Sequence, residues 1–125
     1  MKRFDFAISF SGKIRNEAEN IAFELKNLGY EVFYDKWYEH ELLGTNAADY
    51  LFKVYFQDSI YCLILIEENY DKSNWTNLER EYIQSRFLED RDNFLLPIMM
   101  SKYRPDWLPK TRIFFDPKIR SQKIL

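Results

Sequence analysis

The run Ile60 to Ile66, Ile-Tyr-Cys-Leu-Ile-Leu-Ile, constrains this chain more than any other stretch. It is close to continuously apolar, and its length suits a strand, far short of the roughly 18 residues a membrane helix needs. An antiparallel strand with one wet face alternates polar and apolar residues, and this run does not. Such a run reads as a central strand buried on both faces, which in turn requires covering layers above and below it.

The flanking segments supply those layers. Phe4–Phe10 reads as a first strand, and Ser11-Gly12-Lys13 ends it. A helix follows from about Asn16, with Ala18, Ile21, Ala22, Leu25 and Leu28 at helical spacing, and Gly29 is a typical stop. Glu31–Asp35 makes a second short strand, and Lys36–Thr45 a polar-aromatic loop. Asn46 caps a second helix carrying Ala47, Tyr50, Leu51, Val54 and Tyr55. After the central strand, Glu67–Ser73 is a loop and a third helix runs to about Glu89. Phe94–Met100 is another apolar strand, in which Pro97 removes a ladder donor and argues for an edge or bulged position. Pro105–Pro109 is irregular. Thr111–Phe115 is a fifth short strand, ended by Pro117. Strands and helices therefore alternate, the mark of an α/β fold with a mostly parallel sheet. In such sheets ligands sit on the loops that follow the carboxyl ends of the strands. Those loops are 10–15, 35–45 and 67–75.

Composition narrows the function. A chain of 125 residues is one domain, 1–125, with a core that needs no disulfide or metal staple. The single cysteine, Cys62, falls inside the central strand as a core thiol, compatible with a reducing cytoplasm. There is no signal-peptide pattern and no membrane span, so cytoplasmic is the default expectation. With one histidine, His40, and one distant cysteine, no structural zinc site can be assembled. Neither a GxGxxG nor a complete P-loop pattern occurs. Residues 99–125 carry seven basic and two acidic groups, a net +5 against −7 for the rest. The basic residues form no compact run, which favours a solvated face or a protein contact over direct nucleic-acid binding.

The third helix holds the residue that needs most explanation. Trp75, Leu78, Tyr82, Ile83, Arg86 and Phe87 recur at three- and four-residue spacings as a largely apolar stripe. Glu79 sits inside that stripe, and a carboxylate on a buried face is costly unless paired or used. Two readings stand side by side. Thr76-Asn77-Leu78-Glu79 matches a capping box, with Glu79 reaching back to the Thr76 backbone N–H. Alternatively Glu79 faces the loop pocket, and Trp75 supplies a stacking wall.

Taken in order, several segments resemble a Toll/interleukin-1 receptor (TIR) domain of the bacterial type. Phe4–Arg15 resembles that family's first strand and loop, Gly29–Asp35 its second strand, and Glu41-Leu-Leu-Gly44 its BB loop. Ser59–Tyr70 and Trp75–Arg80 resemble its third strand and active-site helix, and Leu95–Pro97 its fourth strand. Each piece is weak alone; the ordered set, over about residues 4–97, is strong. The resemblance implies a flavodoxin-like three-layer sandwich around a five-stranded sheet. The last helix would be short or missing, as in a module cut from a longer protein or a domain that ends early.

For many prokaryotic members the resemblance further implies cleavage of NAD⁺ at the nicotinamide–ribose bond, in immune defence. The family's catalytic glutamate lies four residues after a tryptophan, which makes Glu79 the catalytic residue here. NAD⁺ would be the substrate, with no separate cofactor and no metal. Phe10, Ser11, Arg15, Asp35, Trp37 and Trp75 would contact it. Phe10 would stack on a base or close the core beneath its loop. Arg15 would pair with the pyrophosphate or stand as an ordinary helix-start residue. Asp35 would bind a ribose hydroxyl or begin an Asx turn. Trp37 and Tyr38 would line the pocket or a self-association surface.

Self-association, head to tail through the BB loop 36–45, is implied as well, together with a sensing domain or partner outside this chain. Leu43-Gly44 replaces the frequent Trp-Gly, and Lys13-Ile14 an acidic pair, which bears on substrate grip rather than on fold. The competing functions are a non-catalytic TIR–TIR scaffold and an N-glycosyl enzyme of the nucleoside deoxyribosyltransferase kind.

Overall fold

Four largely buried segments build one parallel sheet. The computed structural model describes residues 2–43, 46–70 and 95–103. The strands are β1 (Phe4–Ser9), β2 (Val32–Phe33), β3 (Ser59–Ile66) and β4 (Leu95–Met99). The helices are α1 (Arg15–Asn27), α2 (Glu39–Leu42) and α3 (Ala47–Phe56). Short 3-10 turns cover Gly12–Ile14 and Asp35–Tyr38. Sheet order is β2-β1-β3-β4, with every pairing parallel. The chain therefore moves outward from β1 to β2, then returns to the other side of β1. That reversal puts the topological switch point between β1 and β3.

Two cores lie on the two faces. Cys62, Ile64 and Ile66 join Val54, Tyr55 and Phe56 of α3 on one side. Leu63 and Leu65 join Ala18, Ala22 and Leu25 of α1 on the other. This is the three-layer α/β arrangement expected from the apolar run. The period of two in β3 and of 3.6 in α1 bring their small and branched residues together.

Local rules explain the ends of the elements. α1 closes in a Schellman motif: Tyr30 N–H donates to the Leu25 carbonyl and Gly29 N–H to the Lys26 carbonyl, at 3.2 and 2.9 Å. Gly29 takes φ +98°, the left-handed conformation this motif needs. The Asn46 side chain accepts from Asp49 N–H and caps α3, as its sequence position suggests. The Ser59 hydroxyl donates to the Val54 carbonyl and ties the start of β3 to α3.

The structure differs from the sequence expectation in three places. The second strand pairs only at Val32 and Phe33, because the chain turns at Asp35 and Trp37 N–H closes on the Tyr34 carbonyl at 2.9 Å. The start of β3 is not buried on both faces: Ile60 and Tyr61 remain 46% and 37% exposed. The paired residues give the reason, since β1 runs alongside from Ser59 but β4 joins only at Cys62. Segment 36–45 is also more ordered than a loop, since its first part is helical through Leu42. Pro97 is accommodated opposite Ile64 in β4, one of the two edge strands among the described residues. The expected third helix and fifth strand, 111–115, lie outside the described residues.

Replacing Gly29 by alanine places a Cβ in open space but in the left-handed backbone region. The expected cost is about 1–2 kcal/mol of folding free energy, measured as a lower denaturant midpoint with an unchanged slope.

Candidate active site

The carboxyl ends of β1 and β2 and the first turn of α1 converge on one polar cluster. Arg15 opens α1. Its Nη1 donates to Asp35 Oδ1 at 3.0 Å and its Nη2 to Asp35 Oδ2 at 3.1 Å, a forked ion pair. Nη1 also donates to the Tyr34 hydroxyl at 2.9 Å, and that hydroxyl donates to Glu19 Oε2 at 3.0 Å. The guanidinium lies 5.1 Å from the centre of the Phe10 ring and 5.6 Å from that of Tyr34. Phe10 in turn stacks on Tyr34. The Asp35 carboxylate holds the Arg15 proton even more firmly than usual. Burial, opposed in part by the Arg15 bond, raises the Tyr34 hydroxyl above its ordinary range. The pair is one-third exposed, so screening limits its contribution to stability.

Three of the expected contact residues, Phe10, Arg15 and Asp35, are thus brought together. Ser11 stands beside them, but its hydroxyl accepts from Lys13 N–H at 3.3 Å and caps the 3-10 turn. Trp37 touches the cluster only through the edge of Tyr34. Its faces meet Phe23 and the Lys26 ammonium of α1. Tyr38 is turned to the other core, stacked on Phe33. Trp75 and Glu79 lie outside the described residues.

Two features at the switch point carried no clear signal in the sequence. Ser9, the last residue of β1, shares a buried 2.6 Å hydrogen bond with the Tyr70 hydroxyl, which links the first loop to the segment after β3. Glu67, the first residue after β3, is 4% exposed. Its Oε2 accepts from the backbone and side-chain nitrogens of Asn69, both at 3.0 Å, while Oε1 is buried without a partner among the described residues. Leaving such an atom unsatisfied costs about 1–3 kcal/mol. Tyr34 was legible only as a strand residue. Its ring enters the core with Ala18, Ala22 and Leu25 of α1, on the face opposite Phe33.

The segment after β2 is fixed by a second forked pair. Arg3 donates to both oxygens of Glu41, at 2.8 and 2.6 Å, and Tyr50 donates to Glu41 Oε1 at 2.7 Å. These bonds, first from Arg3 and then from Tyr50, lower the Glu41 carboxyl from 4.5 to about 2. Burial and then the Glu41 bond push Tyr50 up to about 12. Beyond this anchor Leu43 is 79% exposed. Cys62 is fully buried and its thiol is pushed up by burial, which makes it a poor nucleophile. Among the described residues no group of His, Cys, Asp and Glu could hold a metal ion, and no helix is long and apolar enough to cross a membrane.

The parallel sheet with helices on both faces defines an α/β class of fold, and the comparisons narrow it. The sequence matches the TIR domain family over residues 6–123, and the chain belongs to that family. It is 36% identical over 94 residues to the 3′ cyclic ADP-D-ribose synthase AaTIR of Aquimarina amphilecti. That match covers 75% of this chain but only 29% of the relative. In fold it is similar to the TIR domain of the Toll-related receptor TRR-2 from Hydra magnipapillata. The TM-score is 0.65 at 18% identity, over 94% of this chain and 90% of that one.

Because Glu41 has its carboxyl lowered in the folded state, its contribution to stability is complete above about pH 4.5 and is lost as pH falls toward about 2. Thermal melts between pH 2 and 6 should show that loss in the wild type, and Glu41→Gln should flatten it.

Proposed function

We propose that this chain is the NAD⁺-cleaving module of a prokaryotic defence effector, with Glu79 as its catalytic carboxylate. The observation that carries the reading is the similarity to a 3′ cyclic ADP-D-ribose synthase. The Trp75 and Glu79 spacing supports it, as does the clustering of Phe10, Arg15 and Asp35 at the carboxyl edge. The chain spans less than a third of that relative's length, so the activity is assigned to the module as a proposal.

The chemistry asks little of the protein. The C1′–N bond of the nicotinamide riboside breaks with its electron pair passing to the pyridinium nitrogen, so nicotinamide leaves neutral and needs no general acid. The positive charge that develops on the ribosyl carbon is stabilised by the Glu79 carboxylate. Water attacking that carbon gives ADP-ribose and releases a proton; a hydroxyl of the same molecule gives a cyclic isomer. Phe10 and Trp75 supply stacking surface, and Arg15 a donor fork for the diphosphate. Ser11 shapes the first loop through its cap. Trp37 backs the cluster from the α1 side.

Self-association belongs to the same proposal. The 36–45 segment is anchored through Glu41 and carries the exposed Leu43 beyond that anchor, which suits insertion into a second copy. A sensing domain or partner protein would set when this occurs.

Nicotinamide release from NAD⁺ tests the chemistry. The wild type should turn over and Glu79→Gln should lose at least about a hundredfold in kcat. Equal rates in the two would remove Glu79 from the mechanism. Specific activity should rise with protein concentration, and Leu43→Asp should abolish that rise while the melting temperature stays within a few degrees. A variant that keeps the rise would place the contact elsewhere.

A further inference from the structure

Tyr34 does not merely fill the core. Its ring is fully buried, stacked on Phe10 and set edge-on to Trp37. Its hydroxyl nevertheless reaches two charged groups of α1, Arg15 and Glu19, which stand four residues and one helical turn apart. A phenol has a single proton, and here it goes to Glu19. The oxygen therefore meets Arg15 as an acceptor only.

The consequence lies in the guanidinium. Of its five N–H groups, two on Nη1 and one on Nη2 are taken by Tyr34 and the two Asp35 oxygens. Among the described residues nothing bonds Nε–H or the second N–H of Nη2, which lie side by side on the adjacent edge. Two parallel donors in one plane match a pair of phosphate oxygens. The Arg15 side chain is 40% exposed, so this second edge is within reach of a ligand. A flexible arginine would give up rotamer freedom on binding. One held by three bonds and a ring face has already given it up. Each Asp35 oxygen accepts one of these bonds and keeps a second lone pair, so the same carboxylate can hold Arg15 and still accept from a ribose hydroxyl.

The geometry points to Tyr34 as a positioning residue of the substrate site: with Glu19 and Asp35, it fixes Arg15 so that the remaining donor pair faces the diphosphate of a dinucleotide. The assignment rests on the NAD⁺ reading and adds to it the group that orients the substrate's diphosphate. The plainer role, a bond that only ties α1 to the end of β2, makes different predictions.

Tyr34→Phe removes one oxygen and keeps the ring. Three ligands separate the roles: NAD⁺ as substrate, ADP-ribose as a diphosphate-bearing inhibitor, and nicotinamide as an inhibitor without phosphate. The expected result is a rise of about three- to tenfold in both the NAD⁺ KM and the ADP-ribose inhibition constant. The kcat and the nicotinamide inhibition constant should stay within about twofold, because the lost interaction is uniform between ground and transition states. Glu19→Gln keeps an oxygen for the phenol and should resemble wild type, whereas Glu19→Leu should resemble Tyr34→Phe. Unchanged constants for NAD⁺ and ADP-ribose would overturn the assignment. So would a parallel loss for all three ligands together with a lowered melting temperature. A wild type that releases no nicotinamide overturns the NAD⁺ reading instead; the assignment is then decided by calorimetric binding of ADP-ribose to wild type and Tyr34→Phe. Wild-type protein that binds no ADP-ribose overturns it as well.

Discussion

Side chains of Cys62, Ile64 and Ile66 enter one core while Leu63 and Leu65 enter the other, so β3 is satisfied only between two strands and two helical layers. That double burial leaves β1 on one side, β4 on the other, α1 above and α3 below. The parallel direction follows, since each crossover must carry the chain back across the sheet before the next strand begins. It also follows that every strand delivers its carboxyl end to one edge. Ser9, Tyr34 and Glu67 arrive there from three strands without any sequence proximity.

At that edge charged and hydroxyl side chains carry the polarity. They do so as linked pairs. Arg15 is held by Asp35 and Tyr34, Tyr34 by Glu19, and Ser9 by Tyr70. Toward the opposite end of β1, Arg3 and Tyr50 fix Glu41 and thereby the segment that leads to Leu43. Each pair joins elements that are distant in sequence, so the edge is pre-organised by the same contacts that close the fold. Glu67 is the exception, with one buried oxygen that no described residue bonds at the switch point.

Much of this was legible in the sequence, and the misses have physical causes. The apolar run gave the central strand, Gly29 the end of α1 and Asn46 the start of α3, because each rests on a local rule of periodicity or capping. The shortening of the second strand was not legible, since it depends on the turn that Trp37 N–H closes on the Tyr34 carbonyl while β1 still runs on to Ser9. The exposure of Ile60 and Tyr61 was not legible either, since it depends on where β4 begins to pair. The placement of residues 10–15 and Asp35 at the carboxyl edge was legible, whereas Glu41 reaches back to Arg3 just before β1. That Arg15 and Asp35 would bind each other was not legible, because pairing across 20 residues is a property of the sheet order. Tyr34 looked like an ordinary strand aromatic, and nothing in its neighbours marked its hydroxyl as shared.

The most direct measurement of the central claim is the amide chemical-shift response of isotope-labelled protein to NAD⁺. The account predicts that the largest changes fall at the carboxyl edge, at Phe10, Arg15, Tyr34, Asp35 and Glu67. The opposite edge, at Glu31, Ile60 and Tyr61, should stay silent. Changes centred on that opposite edge, or no response at saturating NAD⁺, would contradict it.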